Sequence, residues 1–301
     1  MGKVRSYFVL DRSTVKHLRF PFSFFLLPVF MFALSQAETI VWFDALLAFI
    51  ILHLLVFPSS NGYNSYQDKD ETSIGGLKNP PAVTRTLFYT TIVFDLLALV
   101  LGLLISPVFS SLILVFIIMS RSYSYRGLRF KKYPVLAFLI VFIFQGGFIY
   151  LTSSLAITGK SLAELFNTSD ILCMIISSMF IGSIYPLTQI YQHESDKNDG
   201  VISLSYLLGY SGTFIFSGIL FAVGTVLMTY YFWSNTMLFA IWLFLPFIFI
   251  MGLRMSLWFK KVRKDIKQAN FHNTMSMNLV SSASMNIYFF ILVLINIQWG
   301  I

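Results

Sequence analysis

Two stretches of the chain carry amides and carboxylates at a spacing that suits a hard cation. The first reads Tyr63-Asn64-Ser65-Tyr66-Gln67-Asp68-Lys69-Asp70-Glu71, the second Tyr191-Gln192-His193-Glu194-Ser195-Asp196-Lys197-Asn198-Asp199. Both fit Tyr, amide, three residues, Asp-Lys, then two residues that are acidic or Asn. If each segment continues the helix before it, Asn64 with Asp68 and Gln192 with Asp196 share a face, with Cβ atoms about 5–6 Å apart. Oxygen-only sets of this kind suit Mg2+, which one or two carboxylates hold while substrate phosphates complete its shell. Two such sets facing each other would clamp one diphosphate through bridging metals. A solvated acidic loop is the ordinary reading of either stretch alone, and their recurrence 128 residues apart argues against it.

The elements that must position these stretches are membrane spans. Of 301 residues 57% are hydrophobic, 18% aromatic and only 11% charged, with mean hydropathy +0.76, a composition that excludes a soluble fold. Apolar runs of bilayer length fall near 20–36, 39–58, 84–106, 108–121, 134–152, 169–187, 208–232, 236–258 and 277–297. The expected fold is all-α, a polytopic membrane protein of about nine transmembrane helices. The first run, preceded by basic residues and ending Ala33-Leu34-Ser35-Gln36-Ala37, has the outline of a signal peptide. Its basic stretch is long for that role and another apolar run follows at once, so it is taken as a retained span.

Basic residues in short loops stay on the cytoplasmic side. With the N-terminus inside, only Lys160 of the 21 Lys and Arg falls elsewhere, which supports the span count and makes the net charge of +8 mainly a matter of topology. The expected location is the plasma membrane, with the N-terminus and motif loops cytoplasmic and the C-terminus outside. The ordinary role of any one of these cations is an anchor on anionic lipid, and nothing points to nucleic acid. Each acidic stretch follows an even-numbered span, so the chain reads as a four-helix unit repeated once with one helix added. That gives a single transmembrane domain over 1–301, with the first unit and span five in 1–152, the second half in 153–301, and motif loops at 59–83 and 188–207.

Few other residues invite chemistry. Cys173 is the lone cysteine, so there is neither a disulfide framework nor zinc spacing. Asp95 lies near the middle of span three, and an intramembrane carboxylate is a site candidate by default, with a carboxyl held structurally by Thr and Tyr as the alternative. His53 is expected to be a packed core histidine. Gln145-Gly146-Gly147 is expected to mark close helix packing, and Asn273, Asn278 and Asn286 to bond between helices.

An Asn-x-x-x-Asp segment after the second span, a second acidic segment after the sixth, and nine helices together resemble the UbiA superfamily of intramembrane prenyltransferases, over nearly the whole chain. The resemblance implies a UbiA-like bundle and two Asp-rich motifs that hold Mg2+ and the diphosphate of an isoprenoid donor. Asn64 and Asp68 fall in the first motif and Asp196 in the second. Leu77-Lys78-Asn79-Pro80-Pro81 takes the place of the family's basic, proline-containing segment, and Arg126, Arg129, Lys131 and Lys132 that of the next basic loop. The chain departs from the pattern at Thr72, where Asp70 or Glu71 would have to substitute, and at Gln192, which brings an amide oxygen without charge.

The implied chemistry is Mg2+-dependent transfer of an isoprenyl group from its diphosphate to a hydrophobic or aromatic, electron-rich acceptor inside the lipid bilayer. Asp68 and Asp196 would be central to catalysis and to metal binding, with Asn64, Asp70, Glu71, Gln192 and Asp199 in support. Lys78, Arg126, Arg129, Lys131 and Lys197 are the cation candidates for the diphosphate, and Asp95 a candidate for the acceptor. The alternatives are a non-catalytic isoprenoid- or lipid-binding homologue, for which Gln192 and Thr72 speak, and a small transporter, which would carry more charge at mid-membrane.

Overall fold

The computed structural model describes residues 11–69 and 71–299; Asp70 of the first motif and the basic residues Lys3 and Arg5 lie outside them. The described residues are helical throughout, with a single isolated bridge, Ile74 to Leu77, and no strand. The principal helices are α1 (Arg12–Leu18), α2 (Leu27–Ser35), α3 (Trp42–Asp68), α4 (Arg85–Ile105), α5 (Pro107–Ser124), α6 (Pro134–Thr158), α7 (Thr168–Gln189), α8 (His193–Asn198), α9 (Leu204–Ser234), α10 (Leu238–Lys264) and α11 (Phe271–Trp299). Eight of them, α3 to α7 and α9 to α11, are long and apolar enough to cross a bilayer. A ninth span is obtained if Arg12–Phe25 and Leu27–Ser35, bent by 40°, are counted as one. The expected polytopic all-α architecture of about nine spans is therefore the one found. Outward-facing Trp242, Phe43, Phe249 and Leu104 are all strongly exposed, as side chains that meet lipid would be.

The chain divides into two compact units. The first holds the described residues up to Ser23 and those of Phe49–Arg129, and the second holds Phe24–Ala48 and the described residues from Phe130 onward. In the first unit, α1 packs on α3 and α4, and α3, α4 and α5 pack on one another. α3 is wound wide through Ile51–Val56 just before Pro58, whose ring has no N–H to give the Leu54 carbonyl and would crowd it in a regular turn. The widened turn holds the buried His53, stacked on Phe49 at 4.9 Å and edge-on to Phe57 at 5.0 Å, as a packed core histidine.

In the second unit, α7 lies along both α9 and α6, α11 lies along α10 and α2, and α2 also meets α6. Lipid tails are as apolar as leucine, so helices are drawn together here by small residues and hydrogen bonds more than by hydrophobic burial. Gly146 is the clearest case: a Cβ there would stand 2.4 Å from Ser178 Cα, and the Gly147 N–H donates to Ser178 Oγ at 2.9 Å. Gly146→Val is expected to destabilise the protein by about 2–3 kcal/mol or to prevent its folding, whereas Gly252→Ala should be neutral, because its Cβ would meet nothing nearer than 3.9 Å. Thermal unfolding of the two variants in detergent checks this.

Polar links complete the second unit. Asn273 Oδ1 accepts from Arg254 at 3.4 Å and Asn286 donates to the Phe24 carbonyl at 3.4 Å, as expected for interhelical bonds. Asn278 is buried, and its Oδ1 has no hydrogen-bond partner among the described residues. α9 is broken at Gly209, whose φ of 65° and ψ of 177° no β-carbon-bearing residue adopts easily. The break lets Thr213 Oγ1 donate to the freed Gly209 carbonyl at 2.7 Å, and it separates the first turn of α9 from the span proper.

Candidate functional site

The helix that precedes the first acidic stretch does not stop where the apolar residues stop. α3 runs on through Tyr63, Asn64 and Asp68 and ends on Lys69, which takes a left-handed conformation (φ 55°) and returns its N–H to Ser65 O at 2.9 Å. Asn64 and Asp68 therefore share a face one turn apart, and Asn64 Nδ2 donates to Asp68 Oδ2 at 3.0 Å. Asp68 is 8% exposed. Two arginines from the segment after α5 close on it. Arg129, itself at a left-handed φ of 48°, brings Nη2 to 3.9 Å from Asp68 Oδ1, and Arg126 donates through Nε to the Gln67 carbonyl at 2.7 Å and through Nη2 to that of Asp68 at 3.3 Å. Four of the expected site residues are thus in one place within the first unit.

The chain beyond Lys69 is held by α1. Asp11 caps α1 through Thr14 N and accepts from Thr84 Oγ1 at 2.9 Å, and Ser13 donates to Ala82 O at 2.7 Å. His17 Nε2 pairs with Pro81 O at 2.7 Å. Arg19 donates to Gly75 O and to Asn61 O, each at 3.0 Å, so this cation ties the post-motif segment to the motif helix instead of merely sitting at the interface. Lys78 closes the small Ile74–Leu77 turn, its carbonyl held by Ser73 Oγ at 2.7 Å, and its side chain is exposed. Glu71 and Thr72 are exposed.

The second stretch is built differently. α7 ends at Gln189, the chain turns, and α8 starts afresh with Gln192 at its N-cap position, where its side chain makes no capping bond. Gln192 and Asp196 keep their one-turn relation only because Asp196 N donates to Gln192 O at 2.8 Å in that short helix. The helix is seated by His193, which is buried, lies 4.8 Å from the Tyr210 ring and shares a 2.8 Å hydrogen bond with Ser205 Oγ. Burial holds the His193 imidazole below the usual histidine range, so it stays neutral at pH 7 and the charges here are those of Glu194, Asp196, Lys197 and Asp199. Lys197 is exposed, with its ammonium 5.9 Å from the Tyr206 ring, and Lys131 lies in the 3-10 turn Phe130–Lys132. Below, Leu187, Ile190, Phe214, Trp258, Val262 and Met277 form the apolar floor of this end of the unit.

Asp95 has a partner that the residue pattern alone did not assign. Arg121, near the end of α5, donates through Nε to Asp95 Oδ2 at 3.0 Å and through Nη1 to Thr91 Oγ1 at 3.2 Å, and its guanidinium carbon sits 3.9 Å from the Tyr63 ring centroid. Ser59 of α3 donates to Asp95 Oδ1 at 2.6 Å. The signal was partial: a lone carboxylate within the membrane requires a counter-charge, but Arg85 and Arg254 fall within apolar runs just as Arg121 does, and position along the chain does not choose among them.

Among the described residues no three His, Cys, Asp or Glu side chains gather closely enough to hold a metal by themselves. A cation at Asn64 and Asp68 would take one carboxylate and one amide oxygen from the first unit and leave positions for phosphate oxygens, which is how Mg2+ is commonly bound.

Comparison with known proteins fits this picture. The family model described as the UbiA prenyltransferase family matches residues 24–282. No curated protein sequence matches significantly. Among solved structures, a UbiA homologue from Archaeoglobus fulgidus bound to DMAPP and Mg2+ superposes with a TM-score of 0.67 at 18% identity, over 94% of this chain and 99% of that one. The apo UbiA homologue from Aeropyrum pernix K1 gives 0.65 at 16% identity, over 94% and 98%. A structure described for digeranylgeranylglyceryl phosphate synthase in membranes gives 0.60 at 18%, over 95% and 98%. At these identities the structural likeness speaks for the fold, and the family model speaks for descent. The chain belongs to the UbiA prenyltransferase family.

Proposed function

We propose that this protein transfers an isoprenyl group from an isoprenoid diphosphate to an electron-rich, aromatic acceptor within the membrane, with Mg2+ as cofactor. Family membership supports prenyl transfer in general, and the Archaeoglobus fulgidus homologue binds GPP or DMAPP with Mg2+. The observation that carries the reading for this chain is the Asn64–Asp68 pair, one turn apart on α3 with Arg126 and Arg129 beside it.

In this reading Asp68 and Asn64 are the oxygen ligands of the first motif, with Glu71 or Asp70 in place of the family carboxylate at Thr72, and Asp196, Gln192 and Asp199 are those of the second motif. Bound Mg2+ would neutralise the charge that gathers on the leaving diphosphate as the C–O bond ionises. Arg126, Arg129, Lys78, Lys131 and Lys197 supply fixed positive charge for the same group, which stabilises the transition state more than the ground state because the negative charge grows along the reaction. The allylic cation left behind is attacked by the acceptor ring, which then loses a proton. Asp95, engaged by Arg121 and Ser59, is given the task of anchoring α3 and not of taking that proton. The distribution of basic residues supports a cytoplasmic side for the N-terminus and both motif stretches.

The test uses purified protein in lipid nanodiscs with geranyl diphosphate. Diphosphate release is expected with Mg2+, to stop with excess EDTA and to return when Mg2+ is restored. Labelled donors of several lengths, incubated with the protein and a membrane extract, should yield a labelled product whose mass identifies the acceptor. If no donor gives Mg2+-dependent release or a labelled product, the chain is a binding homologue and not a transferase.

A further inference from the structure

The motif helix and α5 are joined by a repeating polar contact. Ser60 shares a hydroxyl hydrogen bond with Ser120, and one turn further along Asn64 Nδ2 donates to Ser124 Oγ at 3.0 Å. The offset is 60 residues in both, so the two helices run in parallel at fixed register and meet every fourth residue. Arg126 continues the series on the carbonyls of Gln67 and Asp68.

The second contact has a chemical consequence for Asn64. A carboxylate only accepts, so the end of the amide facing Asp68 is the NH2 group. Its two hydrogens are both used, one on Asp68 Oδ2 and one on Ser124 Oγ, while Oδ1 accepts no hydrogen bond from any described residue. With both N–H bonds fixed, the amide cannot rotate about its last torsion without losing one of them, and the only end it presents away from the protein is the oxygen. Ser124 is 2% exposed and sits at the last turn of α5, so its own position is set by helix packing and not by solvent.

We infer that Ser124 is a positioning residue for the first motif: it locks the Asn64 amide with Oδ1 outward, so that the amide meets a divalent cation with its acceptor end. A hard cation binds the carbonyl oxygen and is repelled by the NH2 end, so a freely turning amide is a poorer ligand than a fixed one. The inference rests on the proposed role of Asn64 and Asp68, and it names a residue outside both motifs that controls their metal affinity.

Binding of Mn2+ to the purified full-length protein in nanodiscs, in the presence of inorganic diphosphate and followed by electron paramagnetic resonance of the free ion, tests this without turnover. Ser124→Ala should weaken Mn2+ binding on the order of tenfold, the usual size for loss of a group that orients a ligand, and Ser124→Thr should restore it. Ser120→Ala removes the equivalent bond one turn away and should leave the affinity unchanged. In the Asn64→Asp background both ends of the side chain are oxygens and no orientation is needed, so Ser124→Ala there should alter affinity by less than about twofold. Equal weakening by Ser120→Ala, or the same Ser124→Ala effect in both backgrounds, would mean that Ser124 only holds the helices together and would overturn the inference. Wild-type affinity in Ser124→Ala would overturn it alone, whereas a wild-type protein that binds no Mn2+ would overturn the proposed metal site as well.

Discussion

Asp68→Ala is expected to abolish Mg2+-dependent release of diphosphate from an isoprenoid donor while leaving the protein folded. The Asp68 carboxylate accepts from the Asn64 amide and lies 3.9 Å from Arg129 Nη2, while Arg126 holds the backbone carbonyl of the same residue. Its removal takes away a metal ligand and the carboxylate that lies 3.9 Å from Arg129 Nη2. Losing a single group aimed at transition-state charge costs about 10²–10³-fold in rate, and a metal ligand should cost at least that. Asp196→Ala should be of the same order if the second stretch serves the same diphosphate. Stopped assays of phosphate, after pyrophosphatase treatment, measure both variants against wild type. Turnover of Asp68→Ala at the wild-type rate would remove the assignment of the first motif, and the same result for Asp196→Ala would leave catalysis to the first motif alone.

The largest effect on stability is expected from Arg121→Ala. The Arg121 and Asp95 side chains are only 19% and 13% exposed, so water replaces a lost partner poorly. Removing one member strands the other, a cost of about 3–5 kcal/mol for buried pairs, and here Thr91, Ser59 and the Tyr63 ring lose their contacts to the guanidinium as well. Replacing both charges with apolar residues of similar size, Asp95→Leu with Arg121→Met, should recover much of the loss, because no unpaired charge remains. Thermal unfolding and monodispersity of the solubilised variants provide the comparison. An Arg121→Ala protein as stable as wild type would show that Asp95 is satisfied without it. If the double variant is folded yet turns over slowly, the pair also sets the pose of Tyr63 and, through it, of the motif.

Gly146 and Ser124 show where sequence reading could and could not follow the structure. A Gly-Gly pair in an apolar run implies close helix approach, and the structure supplies the neighbour, Ser178, that makes the glycine obligatory. Ser124 looked like any serine near a span end, since no local pattern distinguishes a hydroxyl that meets an amide 60 residues away from one that faces lipid. The helical run of α3 through Asn64 and Asp68 was a condition of the spacing argument, and it holds for the first stretch. For the second it fails, because α7 ends at Gln189 and a new short helix begins, so the same sequence pattern is presented by two different backbones. The bend that interrupts the first span falls just before Pro28, at the start of Leu27–Ser35, a local signal that hydropathy does not register because both segments are apolar with no charge between them.

By itself the sequence determined the solvent, the number of spans to within one, and the residue types able to meet a hard cation, because these depend on composition and on spacing along a single helix. Tertiary structure alone decided which cation neutralises Asp95, which arginines stand over Asp68, and which end of the Asn64 amide is offered outward. Each of these is a contact between helices distant in sequence, fixed by the register in which their surfaces pack, and register between helices leaves no periodic trace in either one.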